Sequence, residues 1–482
     1  MKKLLKKYNN LSVMSRASLW FFFCNLMMKG ISVITVPLFT RLLTTEEYGI
    51  YSLYLSWFNI LTIFTSLYLY YGAFNNVLNR VTKSEERDKY VSSMQGLTTF
   101  LVIILSLIYL LGRSFWSDLL GLSETALCLM LLQLWVEPCA QFYLARQRFE
   151  FKYKHAVVIT IIKSLLNPLL GLFLVLNTSG DKALVRILSV VVTEVLVAGC
   201  LMIYQFIRGK TFYDETNWKY ALSFNIPMLP HYLSMVMLSQ ADRVMIERYA
   251  GVGKVAIYSV AYSIGMLVQI FTNAVNSSLT PWTYEKLNQK NYKAIRESTN
   301  ILLWVLAGAI CGLLLFVPEV VVILAPQKYY EAIYVVPPVA CSVFFIFLYN
   351  IFAIPQMYFE RQKFMSLTST ATAVLNVILN YIFIKMFGYI AAGYTTVACY
   401  MFYSIGHYII NQKVCKDRLE GNELYDQKSI LLISTFVLFC SVVFNFLYGS
   451  TAIRYVLLVM VGVVAVIFRK KIMSVMSLVK KS

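Results

Sequence analysis

The chain has 482 residues, 59% of them hydrophobic and only 14% charged, and carries a formal net charge of +19 from 43 Lys and Arg against 24 Asp and Glu. Soluble domains hold about a quarter charged residues, so this composition excludes an ordinary cytosolic enzyme. In a soluble protein the positive excess would point to nucleic acid; here the basic residues stand between apolar segments, which points to a membrane and not to a nucleic-acid partner.

A bilayer span takes about 20 apolar residues. Continuous apolar windows predict fourteen, in chain order Ser15–Phe39, Tyr48–Tyr71, Tyr90–Leu111, Leu119–Phe142, His155–Leu176, Ala183–Ile207, Tyr220–Gln240, Val255–Asn276, Ser298–Phe316, Tyr334–Phe352, Leu367–Phe387, Ile390–Ile410, Ser429–Leu447 and Ala452–Phe468. The basic N-terminal stretch resembles the start of a signal peptide. The apolar segment behind it holds Lys29 and lacks a small-x-small cleavage site, so it reads as a retained first span. The narrowest separation is at Gly388, between spans eleven and twelve.

Charge tests this count. With the N-terminus and every second link assigned to the cytoplasm, and residues in the end turn of a span counted with the adjoining link, 31 of the 43 Lys and Arg fall on that side, ten on the other, and two, Lys29 and Lys163, deep inside spans. A threefold bias sustained along the chain follows the positive-inside rule, and one span more or fewer would scramble it. Both termini are therefore expected in the cytoplasm. The outward links are short, so function is expected within the helical bundle. Nine Cys form no CxxC pair, and eight of them lie in apolar segments, where they read as small core residues. Three His and no HExxH make no zinc site, and glycines such as Gly251 and Gly253 lack a P-loop context. No metal or other cofactor is expected beyond a coupling proton or sodium ion.

The two halves repeat short stretches. The exit from span one reads Arg41-Leu-Leu-Thr-Thr-Glu-Glu-Tyr-Gly-Ile-Tyr-Ser52; the exit from span seven reads Arg243-Val-Met-Ile-Glu-Arg248, then Val255-Ala-Ile-Tyr-Ser259. Phe142-Tyr-Leu-Ala-Arg-Gln-Arg-Phe149, between spans four and five, has a counterpart in Tyr358-Phe-Glu-Arg-Gln-Lys-Phe364, between ten and eleven. The offsets, 202 from Arg41 to Arg243 and 215 from Arg146 to Arg361, fit units of six spans. Six is even, so the repeats enter the membrane in the same orientation, a parallel pair related by an axis along the membrane normal. The expected fold is an all-α polytopic membrane protein of about fourteen transmembrane helices. Its two six-helix lobes, 1–210 and 211–412, are related by a pseudo-two-fold axis along the membrane normal, and two further spans with a basic tail fill 413–482.

Pro37-Leu-Phe-Thr-Arg-Leu-Leu-Thr-Thr-Glu-Glu-Tyr-Gly-Ile-Tyr-Ser52, Arg146-Gln-Arg-Phe149 and Pro326-Gln-Lys-Tyr-Tyr-Glu-Ala332 resemble the polysaccharide biosynthesis (Wzx-type O-antigen and capsule flippase) branch of the multidrug/oligosaccharidyl-lipid/polysaccharide exporter superfamily. Span number and length agree, so the resemblance covers nearly the whole chain. It implies a non-enzymatic flippase of the bacterial inner membrane. Such a protein moves an undecaprenyl-pyrophosphate-linked oligosaccharide to the outer face by alternating access of two lobes around a cationic cavity. Membrane lipids and polysaccharide polymerase machinery are its further candidate partners. Two alternatives remain: a cation-coupled multidrug exporter of the same superfamily, and a membrane polymerase or ligase, against which the short outward links weigh.

An ionisable residue at midspan costs about 2.5–3.5 kcal/mol on insertion scales, so each asks for a reason. Lys29 lies in span one, and the offset of 202 places His231 at the matching position of span seven, where Pro227 and Pro230 interrupt the helix. The pair is expected to bind the pyrophosphate from opposite lobes; the plainer reading is an ion pair or snorkelling for Lys29 and packing for His231. Lys163, Glu137 and Glu194 are either a structural ion pair such as Lys163–Glu137, or substrate contact by Lys163 with a coupling ion at one of the carboxylates. Arg41 and Arg243, at the outer ends of spans one and seven, read as an outer phosphate site or as helix-end capping. The tyrosines crowding span two, Tyr68, Tyr70 and Tyr71 among them, read as sugar-stacking faces or as packing and interfacial belt.

Overall fold

The structure, a computed structural model, describes residues 13–467; Lys2, Lys3, Lys6, Lys7 and the basic tail after the last span lie outside them. The described residues are all-α, with no β-strand among them. Each predicted span meets a helix. The first six are Val13–Leu42, Thr45–Ser66, Ser84–Leu110, Glu124–Phe149, Tyr153–Leu176 and Lys182–Gly209. The seventh is broken, Glu215–Asn225 and Leu229–Ala250 being joined by a 3-10 turn at Ile226–Met228, where Pro227 removes a backbone donor. The eighth bends by 41° between Val252–Gly265 and Leu267–Asn288. Tyr292–Leu315, Val336–Tyr358, Gln362–Phe387, Ala391–Arg418, Gln427–Leu447 and Thr451–Ile467 complete the set. Eight of these helices are by themselves long and apolar enough to cross a bilayer, or nine with the bent pair counted as one.

The repeated sequence elements have local physical work. Thr44 and Glu47 form a reciprocal capping box, the Glu47 N–H donating to the Thr44 hydroxyl at 3.1 Å and the Thr44 N–H to the Glu47 carboxylate at 2.7 Å. Two orphan donors of a helix start are thereby satisfied, which is why Thr-Thr-Glu-Glu opens span two. Span eleven ends at Gly388, whose φ of +78° lies in the region only glycine enters freely, so the narrow gap there is a true helix break. Arg146, in the last turn of span four, bridges Asp88 at the start of span three and Glu150 at 3.0 Å. Its counterpart Arg361 reaches Asp417 at the end of span twelve, at 3.3 Å.

The chain divides into two compact units, the first ending at Val236 and the second beginning at Met237. The division falls inside the seventh span, whereas the sequence reading starts the second lobe at 211. In the first unit Phe74, Tyr90, Phe142 and Leu78 form a buried core between spans two, three and four and the short helix Ala73–Arg80. In the second, span ten is buried on nearly all sides and packs chiefly against span twelve. Uniform hydrophobicity around a helix is the mark of such a central position.

Contacts between links test the alternation of sides. Arg208 lies 3.7 Å from Asp88, Tyr358 donates to Asn288, Arg296 donates to the Glu423 carbonyl, and Arg361 meets Asp417; all of these links carry the cytoplasmic assignment. Lys254 pairs with Glu331 at 2.6 Å and Tyr389 donates to the same carboxylate at 2.7 Å, all on links assigned outward; Arg454, in the first turn of span fourteen at its outward end, pairs with Glu319 at 2.7 Å. Partners share a side in each case, as an even alternation of spans requires.

Candidate functional site

Buried charge in the first unit gathers on spans four, five and six. Lys163 pairs with Glu194 at 2.8 Å, not with Glu137. Span six opens into a π-helical turn, Val195–Gly199, immediately after Glu194. Such a turn re-aims the side chains around it and recurs at functional positions. Glu137, on span four, accepts from Gln141 at 2.7 Å, keeps its second oxygen buried with no partner among the described residues, and interacts electrostatically with both Lys163 and Glu194. Tyr54 donates to Gln133 at 2.7 Å beside them. One half-buried lysine and two buried carboxylates thus share a polar cluster.

Lys29 is exposed on span one, and His231 is half-buried just past the break in span seven. Both fall in the first compact unit. The His231 ring lies 5.9 Å from that of Tyr232, which meets Tyr68 edge-on at 5.1 Å. Arg41 is exposed and donates to the Pro37 carbonyl at 2.9 Å; Arg243 donates to the Ser239 carbonyl at 2.8 Å. The same four-residue reach-back therefore recurs in both repeats. Arg243 also turns inward, donating to the Ser259 hydroxyl at 3.1 Å and lying 4.4 Å from the Tyr262 ring centre. It stands about two turns before the end of its helix, because span seven continues to Ala250. The structure thus joins Lys163 with Glu194.

Two buried charges escape a hydropathy reading. Asp242 falls outside the apolar window, which stops at Gln240, yet it is fully buried in the continuing helix. It accepts from the Tyr258 hydroxyl, from Asn380 Nδ2 at 2.7 Å and from the Thr396 hydroxyl at 2.7 Å. Thr395 donates to the Asn380 amide oxygen, and the Asn376 amide is buried alongside, its oxygen accepting from Asn380 at 3.3 Å. No ion pair reaches Asp242 among the described residues. A buried carboxylate held only by neutral groups costs several kcal/mol unless a cation or proton offsets its charge. One negative charge thus stands among neutral amide and hydroxyl groups, with no three His, Cys, Asp or Glu side chains converging as metal ligands among the described residues. The sequence signals are the i, i+4 pair Asn376 and Asn380 inside apolar span eleven, and the adjacent Thr395 and Thr396 in span twelve.

Arg186 is the other. In the first turn of span six, where a cation is expected to reach the outer surface, it is instead buried, donating to Asn167 at 2.8 Å, Ser189 at 2.7 Å and Tyr51 at 3.2 Å. The rings of Phe39 and Tyr51 lie 4.1 and 4.7 Å from its guanidinium carbon.

Comparison with known proteins now bears on this architecture. The family model described as polysaccharide biosynthesis protein matches residues 15–285, more than half of the chain, and the MatE model matches 227–382. An "Uncharacterized membrane protein" of Haemophilus influenzae is 25% identical over 184 residues, covering 36% of this chain and 44% of that protein, so the chain spans less than half the length of that relative. Among solved structures, "Lipid II flippase MurJ, inward closed conformation" superimposes with a TM-score of 0.73 at 14% identity, covering 94% of this chain and 99% of that one. An inward-facing multidrug resistance MATE family transporter of the MOP superfamily gives 0.61 at 15% identity, covering 81% and 96%. The chain belongs to the polysaccharide biosynthesis protein family and has the fold that flippases and transporters of the MOP superfamily share.

Proposed function

We propose that this protein flips an undecaprenyl-pyrophosphate-linked oligosaccharide from the cytoplasmic to the outer face of a bacterial inner membrane, for surface polysaccharide synthesis. The observation that carries the reading is the family match over residues 15–285, because the fold by itself is shared with drug exporters. The charge bias and the same-side contacts between links support cytoplasmic termini. A pyrophosphate must cross about 30 Å of hydrocarbon. Lys29, exposed on span one, is the first candidate to receive it, and Lys163 beside Glu194 the second. The driving ion is a monovalent cation or proton at Asp242, ahead of Glu194, whose charge Lys163 already offsets. Glu137 remains a further protonation site, since one of its oxygens is buried without a partner among the described residues. Alternating access then links ion entry at Asp242 to movement of the phosphorylated headgroup.

Deletion of the gene tests this directly. Lipid-linked repeat units should accumulate on the cytoplasmic leaflet, and surface polysaccharide should fall. Normal export with unflipped precursor at wild-type levels would overturn the reading. The match of residues 227–382 to the MatE model favours one other function, cation-coupled drug export, for which dye efflux from proteoliposomes is the corresponding assay.

A further inference from the structure

The two buried charges that hydropathy misses occupy corresponding places in the two repeats. Thr40 and Asp242 differ by 202 positions, the same offset as Arg41 and Arg243. Tyr51 and Tyr258 are the tyrosines of the repeated Ile-Tyr-Ser, 207 apart. Asn167 and Asn376, Gly171 and Asn380, and Arg186 and Thr395 each differ by 209. In the first unit spans one, two, five and six meet around Arg186; in the second, spans seven, eight, eleven and twelve meet around Asp242.

The substitutions between the two copies are complementary. The second has an acid at 242, where the first has the buried neutral Thr40. The second has Asn380 reaching the acid, where the first has Gly171. A Cβ at Gly171 would lie 2.9 Å from Arg186 Nη1 and 2.9 Å from the Phe39 ring, so the missing side chain is the space the guanidinium uses. Arg186 forms no ion pair among the described residues, and its Nε is buried without an acceptor there. Its positive charge rests on the Asn167 amide oxygen, two hydroxyls and two aromatic faces, neutral partners suited to a weakly hydrated guanidinium.

We propose that Arg186 is a built-in cation. Its guanidinium fills, in the first repeat, the place that the second repeat leaves to an exchangeable monovalent cation beside Asp242, so each chain binds one such cation rather than two. This rests on the Asp242 reading above. The first repeat is locked in its cation-bound arrangement, and ion-dependent rearrangement belongs to the second repeat.

The test uses the purified full-length protein in detergent, with radioactive sodium binding, proton release measured alongside it, and thermal unfolding in a choline background. The wild type should bind one sodium, or release one proton, per chain, and Asp242→Asn should bind none. Arg186→Ala opens the first site: low-millimolar guanidinium should raise its melting temperature while leaving that of the wild type unchanged, a response that loss of packing alone would not produce. Arg186→Lys should keep the wild-type melting behaviour more closely than Arg186→Ala and serves where the alanine variant does not fold. Two sodium sites in the wild type, one of them surviving Asp242→Asn, would overturn the built-in cation while sparing the Asp242 reading. Absence of any ion or proton signal that depends on Asp242 would instead overturn that reading. Failure of guanidinium to protect folded Arg186→Ala would overturn the assignment of Arg186 alone.

Discussion

Lys163 on span five and Glu194 on span six hold an ion pair at 2.8 Å, one residue before span six opens into its π turn. The lysine side chain retains 28% of its accessibility and the glutamate 6%. The pair therefore lies between the roughly 0–1 kcal/mol of an exposed ion pair and the about 3–5 kcal/mol lost when a buried one is broken. Glu194→Gln should lower the melting temperature in detergent and reduce transport with it, whereas Asp242→Asn should abolish gradient-driven transport without impairing ligand binding. The double variant Lys163→Met with Glu194→Met should regain stability, since no charge is left stranded. Recovery of both stability and transport in the double variant would make the pair structural.

Lys29 stands exposed in a membrane helix, a position costing about 2.5–3.5 kcal/mol unless it serves a purpose. Lys29→Ala should reduce glycan export severalfold at normal membrane levels, with Lys29→Arg retaining most of it. Undiminished export by the alanine variant, read from surface polysaccharide, would remove this residue from the transport route.

Two glycine substitutions should act in opposite directions. Gly171→Ala places a methyl group 2.9 Å from Arg186 Nη1 and should destabilise by about 1–3 kcal/mol, the usual cost of overpacking. Gly308→Ala, in span nine with nothing within 4 Å of the new atom, should stabilise by about 0.5–1 kcal/mol through helix propensity. Thermal unfolding of the two variants side by side measures both; a neutral Gly171→Ala would mean the Arg186 pocket has slack.

Glu331, Lys254 and Tyr389 join three outward links. Hydrogen bonds from Lys254 and Tyr389 hold the Glu331 carboxyl below the usual carboxylate range. Because its value is depressed in the folded protein, its contribution is complete above the ordinary glutamate value of about 4.3. It is lost as pH falls through the folded value. Hydrogen exchange in Gln327–Tyr334 should therefore be slow at pH 7 and accelerate, beyond the intrinsic trend, below about pH 4. Glu331→Gln should abolish the excess; an unchanged profile in that variant would show the clasp to be idle.

Thr44→Ala removes the capping box that starts span two and should cost about 0.5–2 kcal/mol. Thr44→Ser, which keeps the accepting oxygen, should cost much less. Equal losses in the two variants would show that the cap contributes little.

The contrast between Glu194 and Asp242 shows how far the sequence reaches. Glu194, inside a long apolar run, announces itself, because a charge amid some twenty apolar residues is visible in one dimension. Which partner Lys163 takes is not visible: Glu137 and Glu194 are both available by type, and the rotation of spans four to six about the lysine selects the second. Asp242 is hidden by its polar neighbours Gln240 and Arg243, which end the apolar window, although the helix runs on to Ala250. Its donors Asn380 and Thr396 lie 138 and 154 residues away, so no local pattern contains them.

The sequence alone points to an all-helical membrane bundle, to an alternation of sides and to a repeat, because each is carried by a property summed along the chain: apolar length, positive charge and recurring short motifs. Tertiary structure decided which charges are buried, which are paired and which stand against neutral groups. Those outcomes depend on how helices distant in sequence rotate and pack, and the missing side chain at Gly171 leaves the space that the Arg186 guanidinium uses.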